Sequence, residues 1–363
     1  MSANATVPPA QLARVVERVR HHLYRLHQRL VPAPVALSEL VLGAWVAQAV
    51  HAAAELGIAD ALADGPLSVE ELGRRVEADP DALERLLRAL ITRGVFRRRR
   101  DGRYYLSPLA DTLRSDASAS MVGGARFYGS PQHREHWSLL VDSVKTGRPS
   151  VPRLRGKEFF NYLAGEPDLG RLFDQAMTGV SELAIGPIVA GYDFNGYSTI
   201  VDVGGGHGRL LAAILAATPA AQGVLYDQPQ VVADAPTLLQ KHGVGARIRI
   251  ESGSFFEAVP AGGDLYVLKL IIHDWPDEEA VTILRNVRDA AGPGGKVLLV
   301  EQVIPMHERE FLGKWVDLEM LLCLAARERT AAEYRDLLDR AGLRLTRVVP
   351  TASPFSLVEA KPS

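Results

Sequence analysis

The sequence predicts an α/β chain: a doubly wound parallel sheet at the C-terminus, preceded by an all-helical winged-helix domain. Three observations predict it. From Ser198 onward, short apolar runs alternate with helical patterns, as in a parallel sheet with helices on both faces. The first run ends in "IVDVGGGHG" (200–208), with four glycines where a strand gives way to a helix. Residues 68–107 read as helix, turn, helix and hairpin, the order of a winged helix.

Composition sets the bounds. A chain of 363 residues can bury two cores. A formal net charge of −2 argues against a general electrostatic grip on nucleic acid. One cysteine, Cys323, allows no internal disulfide and suits a reducing cytoplasm. Charges interrupt the apolar runs before about 18 residues, so no membrane span is expected. The first residues lack the layout of a secretion signal.

Residues 1–35 form an arm. Its stretch "QLARVVERVRHHLYRLHQRL" has apolar letters at helical spacing with Arg and His between, an exposed amphipathic helix. A mixed polar face favours packing on protein over lying on a membrane. Residues 36–120 form the winged-helix domain. In it, 38–63 is apolar on nearly every side, as expected of a helix that is buried all round or sits in an interface. Ser68 and Glu71 have capping-box spacing. A second helix spans 81–92 and stops at Gly94. The run "VFRRRRDGRYYLS" is a hairpin with an Asp-Gly turn. Residues 121–195 read as a helical linker, and 196–363 as the sheet domain. There, strands are expected near 198–203, 222–227, 246–251, 264–269 and 296–301. Helices are expected near 208–217, 229–242 and 277–291, the last capped by Asp277, and the chain closes in an antiparallel pair.

In such a sheet, ligands sit beyond the C-terminal strand ends. Gly204 and Gly206 match the start of a dinucleotide fingerprint, but Arg209 stands where its third glycine belongs. Asp202 beside the loop repels a pyrophosphate and suits a ligand bearing an ammonium group, such as the methionine end of S-adenosylmethionine. Asp227 ends the second strand, where a carboxylate can accept from both ribose hydroxyls. Ser254 and Phe255 follow the third strand, where a hydroxyl and an aromatic face can hold an adenine.

His273 and Asp274 stand at the end of the fourth strand, Glu301 at the end of the fifth, and Glu328 just before a helix near Thr330. A histidine near neutral pKa can take a proton from a phenol, and a carboxylate can fix its tautomer. No serine or cysteine in a nucleophile context accompanies it, which argues against acyl transfer. The spacing matches no metal motif, and no metal is expected.

"VDVGGGHG", "YDQPQVV", "GSFFE", "LKLIIHDWPDEE", "LLVEQVIP" and "RERTAAEYRDLL", in this order, resemble the small-molecule O-methyltransferases of plants and actinomycetes. The resemblance covers nearly the whole chain beyond about residue 35. It implies a class I methyltransferase domain, S-adenosylmethionine as methyl donor, and a homodimer formed through the N-terminal domain. It further implies a small-molecule acceptor with no nucleic-acid or membrane partner. Carried over by position, Gly204, Gly206, Asp227, Ser254, Phe255, Lys269 and Ser181 look like cofactor contacts. Met177, Asp274 and Met320 look like acceptor contacts, with 121–195 contributing to the acceptor pocket. His273 looks like the general base, flanked by Glu301 and Glu328. Two departures stand out: Ala325-Ala326 replaces a Gly-Gly common in the family, and Ser254 replaces an acid frequent in plant members.

Two other functions compete. One is N-methylation of a heterocycle on the same fold. The other is a DNA-binding regulator whose wing, Arg97 to Arg100 with Arg103, touches phosphate. Against the regulator, the second helix of the motif is apolar over much of its surface and offers few groups for base edges.

Overall fold

A computed structural model describes residues 7–363; the first six residues of the expected arm lie outside the described residues. The chain divides into two compact units. One comprises 184–363, 142–154 and the described part of 1–22; the other comprises 23–141 and 155–183.

The first unit is built on a seven-stranded sheet. Its strands are β3 (Thr199–Val203), β4 (Gln222–Asp227), β5 (Ile248–Ser252), β6 (Leu265–Lys269), β7 (Lys296–Glu301), β8 (Leu343–Pro350) and β9 (Ser356–Pro362). Their spatial order is β5-β4-β3-β6-β7-β9-β8. The pairings through β7 are parallel, while β9 runs antiparallel to both β7 and β8, as the alternation and the closing pair predict. Both faces of the central strands are covered, so β6 and β7 read as nearly continuous Val and Leu. One core cluster joins Val201, Tyr266, Leu284, Val297, Leu299 and Tyr334.

Two expected elements shift. Strand β5 begins at Ile248 because 245–247 form a 3₁₀ turn. The helix expected over 229–242 breaks into Pro229–Val232 and Ala235–Lys241, since Pro236 has no N–H for a continuous ladder.

The second unit carries α2 (Ala33–Val41), α3 (Gly43–Glu55), α4 (Val69–Arg75) and α5 (Pro80–Ile91), and the later part of α1 (Ala10–Arg29). The capping box at Ser68 and Glu71 forms. Helix α5 begins at Pro80, since the Asp79 carboxylate accepts from Ala82 N–H at 2.9 Å. Its Leu83, Leu87 and Leu90 are buried while Asp81, Arg85 and Arg88 face outward, so it is more evenly amphipathic than its sequence suggests. Strands β1 (Phe96–Arg98) and β2 (Tyr104–Leu106) form the wing, with a bridge from Leu67 to Tyr104. The wing's arginines are partly engaged within the unit. Arg98 pairs with Glu84 at 3.3 Å, Arg103 pairs with Asp101, and Arg99 lies over Tyr105.

The long apolar helix expected over 38–63 is instead several pieces, broken at Leu42 and at Gly57, which has φ +64°. It is not buried all round either: Leu40, Val41, Leu42 and Trp45 are exposed, Trp45 by 72%. Only two charges, Glu39 and Glu55, fall within 33–55, so by length and composition this stretch is apolar enough to cross a membrane, contrary to the expectation from charge spacing. The apolar stripe of α1, Leu12, Val15, Val16, Val19, Leu23 and Leu26, is exposed as well.

Candidate active site

The glycine run has reasons internal to the protein. Gly204, at φ +68°, lies against Ile271; a Cβ there would stand 2.4 Å from the Ile271 Cδ1. A Cβ on Gly205 would meet Asp202 and Leu225 at 2.6 Å. Gly206, at φ +60°, has open space where a Cβ would point, so its left-handed backbone is what calls for glycine there. Gly208, at φ +79°, opens α7 (Arg209–Ala217). The loop is thus pressed onto the sheet at Gly204 and Gly205 and left bare at Gly206.

Asp227 at the end of β4 holds that loop. Its Oδ2 accepts from Gly206 N–H at 2.9 Å, and its Oδ1 accepts from Gln228 N–H at 2.7 Å. Burial raises its pKa, while the two backbone donors oppose the rise. Asp202 lies deeper, 2% exposed, and its Oδ2 has no hydrogen-bond partner among the described residues. Burial pushes its pKa up to about 7 against the pull of Lys269. Lys269 ends β6; burial lowers its pKa, and Asp202 and Glu301 resist. An acid, a base and an acid therefore interact beneath the loop, with a buried acidic oxygen left over.

His273 sits in a 3₁₀ turn, Ile272–Asp274, just past β6. Leu270 makes the turn possible with a left-handed φ of +54°, an uncommon conformation for a residue with a branched side chain. The imidazole is 7% exposed. Its Nδ1 lies 2.8 Å from Glu328 Oε1, and its Nε2 lies 3.3 Å from Asp274 Oδ1. Burial opposes the imidazolium, but Asp274 and Glu328 outweigh burial and raise His273 to about 10. In return, burial raises Asp274 to about 6 and Glu301 to about 7, with His273 pulling both down.

Glu301, fully buried at the end of β7, uses Oε1 to accept from Ile271 N–H and Ile272 N–H at 3.3 and 2.9 Å. Its effect on the ring is through charge and through this backbone, since no hydrogen bond joins it to the imidazole. His273, Glu301 and Glu328 bring donor atoms within 4.8 Å of one another. Each has one atom already engaged in the contacts above, so the group is a charge-paired acid–base cluster.

The remaining expected residues fall as follows. Ser254 and Phe255 follow β5; Ser254 Oγ accepts from Phe256 N–H, and Phe255 packs against Phe256 and Trp275. Met320 is buried on α11 (Gly313–Cys323), after α8 and α9 (229–232 and 235–241) and α10 (Asp277–Ala291). Met177 and Ser181 lie one turn apart, both half-buried, on α6 (Pro167–Gly191), in the part that belongs to the second unit. The structure thus gathers His273, Asp274, Glu301 and Glu328 in direct contact or near it, with Lys269 and the glycine loop adjoining.

Three participants escape a reading of the sequence. Asp317 accepts from Glu328 N–H at 2.9 Å, and Tyr334 is buried where it feels Glu301 and Glu328. Arg329 is buried in full view of the motif "RERT", where an arginine reads as surface. Asp277, expected to cap α10, is its first residue; Pro276 occupies the cap, and the carboxylate goes to Arg329.

Residues 137–344 match the family profile described as the O-methyltransferase domain, and residues 38–116 match the O-methyltransferase dimerisation domain. The chain is 42% identical over 332 residues to a phenazine O-methyltransferase of Lysobacter antibioticus, covering 92% of this chain and 97% of that one. It is 35% identical to a phenazine-1-carboxylate N-methyltransferase of Pseudomonas aeruginosa, covering 86% and 92%. Among solved structures, it is similar to an O-methyltransferase from neocarzinostatin biosynthesis, in complex with S-adenosylmethionine and 2-hydroxy-5-methyl naphthoic acid. That likeness has a TM-score of 0.74 at 35% identity, covering 87% of this chain and 96% of that one.

Proposed function

The chain belongs to the S-adenosylmethionine-dependent O-methyltransferase family with its own dimerisation domain, and on that footing we propose that it methylates a hydroxyl of a small aromatic, quinol or polyketide-like acceptor. The observation that carries the oxygen acceptor is the buried imidazole held at Nδ1 by Glu328, one loop away from the glycine turn. The cofactor supplies an electrophilic methyl on a sulfonium. The chain's residues suit it: Asp227 for the ribose, the open face of Gly206, and the unpartnered oxygen of Asp202 for an ammonium group. We assign Gly204, Ser254, Phe255, Lys269 and Ser181 to the same contact set.

The work left to the protein is proton removal and alignment. A neutral hydroxyl is a weak nucleophile, so its proton would pass to His273 Nε2 while the oxygen took the donor's methyl and the sulfur left as a neutral thioether. The products are the methyl ether, S-adenosylhomocysteine and a protonated histidine. Glu328 fixes the ring tautomer through Nδ1–H and steadies the imidazolium. With a cationic methyl donor held by Asp202 and Asp227, the imidazolium of His273 would be disfavoured and the ring readied to accept a proton. Asp274, which already faces Nε2, is placed to orient the acceptor hydroxyl. We assign Met177 and Met320 to acceptor contacts, and 121–195 to the acceptor region.

A second reading, methyl transfer to nitrogen, is favoured by the Pseudomonas relative, which is an N-methyltransferase. Matched phenol, aniline and ring-nitrogen acceptors with labelled methyl donor separate the two. Methyl ethers are expected by mass spectrometry; products methylated on nitrogen alone would establish the second reading.

We further propose a cytoplasmic homodimer formed through the N-terminal domain. The exposed Leu40, Val41 and Trp45 of α2 and α3 fall within the dimerisation match, and burying them against a second copy removes that surface from water. Light scattering at micromolar concentration is expected to give twice the chain mass. A stable monomer would refute the dimer.

A further inference from the structure

We infer that Arg329 is a positioning residue for the reaction: its buried guanidinium clamps the turn that carries His273 while the adjacent Glu328 holds the ring. The inference rests on the reading of His273 as the base.

Backbone hydrogen bonds show why the turn needs a clamp. Residues 270–275 leave the ladder of β6 through the left-handed Leu270 and then make only a short 3₁₀ turn. Buried backbone groups must find partners. Two N–H groups, of Ile271 and Ile272, donate to Glu301. Two carbonyls on the other side, of Ile272 and Trp275, accept from Arg329 Nη1 and Nη2, each at 2.9 Å. Those carbonyls bracket His273. Asp277 completes the clamp, accepting from Nη2 at 2.7 Å and from Nε at 3.1 Å. The guanidinium is 1% exposed.

The clamp and the ring's partner are neighbours in the chain, and their backbone is fixed too. Glu328 N–H donates to Asp317, and Arg329 C=O accepts from Ile304 N–H at 2.9 Å. One dipeptide therefore sets both where the turn lies and how the imidazole is rotated within it. Stability alone does not call for this arrangement. A buried ion pair is often no better than a well-packed apolar side chain of similar volume. What the planar fork supplies is a fixed spacing between two carbonyls, which a lysine ammonium cannot reproduce.

The test compares Arg329→Lys with the wild type, and with Arg340→Lys as a control that also lies beside Asp277. Three quantities are read: turnover, S-adenosylmethionine affinity by calorimetry, and the ring-nitrogen NMR signals of His273 through a pH titration. In Arg329→Lys, turnover is expected to fall about 10–100-fold, the scale of a misplaced catalytic group. Cofactor affinity should stay within about 2-fold, and the His273 signals should depart from the wild-type titration, because the displaced turn no longer holds the ring at the same distances from Glu328 and Asp274. Should Arg329→Lys fail to fold, Asp277→Asn loosens the fork from its other side and is expected to move the same signals less far. Wild-type imidazole signals in whichever variant folds overturn the clamp. His273→Gln, assayed alongside, separates the two failures. Full activity there sinks the base, while a shifted imidazole in Arg329→Lys still supports the clamp.

Discussion

His273→Gln is expected to lower turnover by about 10²–10⁴-fold while leaving S-adenosylmethionine affinity near that of the wild type, because the substitution removes the proton acceptor and leaves the glycine loop and Asp227 in place. The pH dependence carries the same message. Asp274 and Glu328 hold the imidazole protonated up to about 10 despite its burial, and an imidazolium accepts no proton. The free-enzyme profile of kcat/KM should therefore rise with pH through neutrality, with its midpoint above the ordinary histidine value of about 6.5. Glu328→Gln removes one of the carboxylates that raise the imidazole, so the midpoint should move down, at a smaller cost in turnover. Glu301→Gln should also cost less than loss of the ring, acting through the turn. Initial rates across a pH series with a productive acceptor decide this. A flat profile together with full activity in His273→Gln would leave alignment as the whole of catalysis and make nitrogen the better acceptor.

Asp227→Ala is expected to weaken S-adenosylmethionine binding by about 5–150-fold, equivalent to about 1–3 kcal/mol for charged hydrogen bonds. Two losses combine. The ribose loses an anionic acceptor, and Gly206 loses the carboxylate that fixes the loop. Asp227→Asn keeps an acceptor for Gly206 N–H and discards the charge, so it should fall between the two. Calorimetry with S-adenosylmethionine and, separately, NAD is the measurement. Unchanged affinity in Asp227→Ala, or tight NAD binding by the wild type, contradicts the assignment of this strand end.

Much of this was legible in the sequence because the signals are local. Periodicity locates the strands from β3 to β7 within about two residues, and strand ends in such a sheet place Asp227, His273 and Glu301 on one edge. Side-chain direction was not legible. Glu301 and Glu328 look equivalent as flanking acids, yet one serves backbone N–H groups and the other the ring. Asp277 reads as a cap and instead joins an arginine some fifty residues onward, a partnership with no trace in local pattern. The exposed apolar helices near the N-terminus misled for a different reason. Apolarity marks surface to be covered, and it does not say whether the same chain or another covers it.

The contact between Gly204 and Ile271 has an evolutionary consequence. The two positions lie 67 residues apart, but they share one small volume: a Cβ at 204 meets the branch tip of Ile271. A lineage can trim position 271 first and bear a modest cavity cost of about 0.5–1.5 kcal/mol for Ile→Val. The reverse order puts two carbons in the same place and adds the penalty of a side chain at positive φ. Substitution histories at this pair are therefore directional. Because position 271 precedes the histidine by two residues, drift in the methyl-donor loop is held in check by the loop that removes the proton.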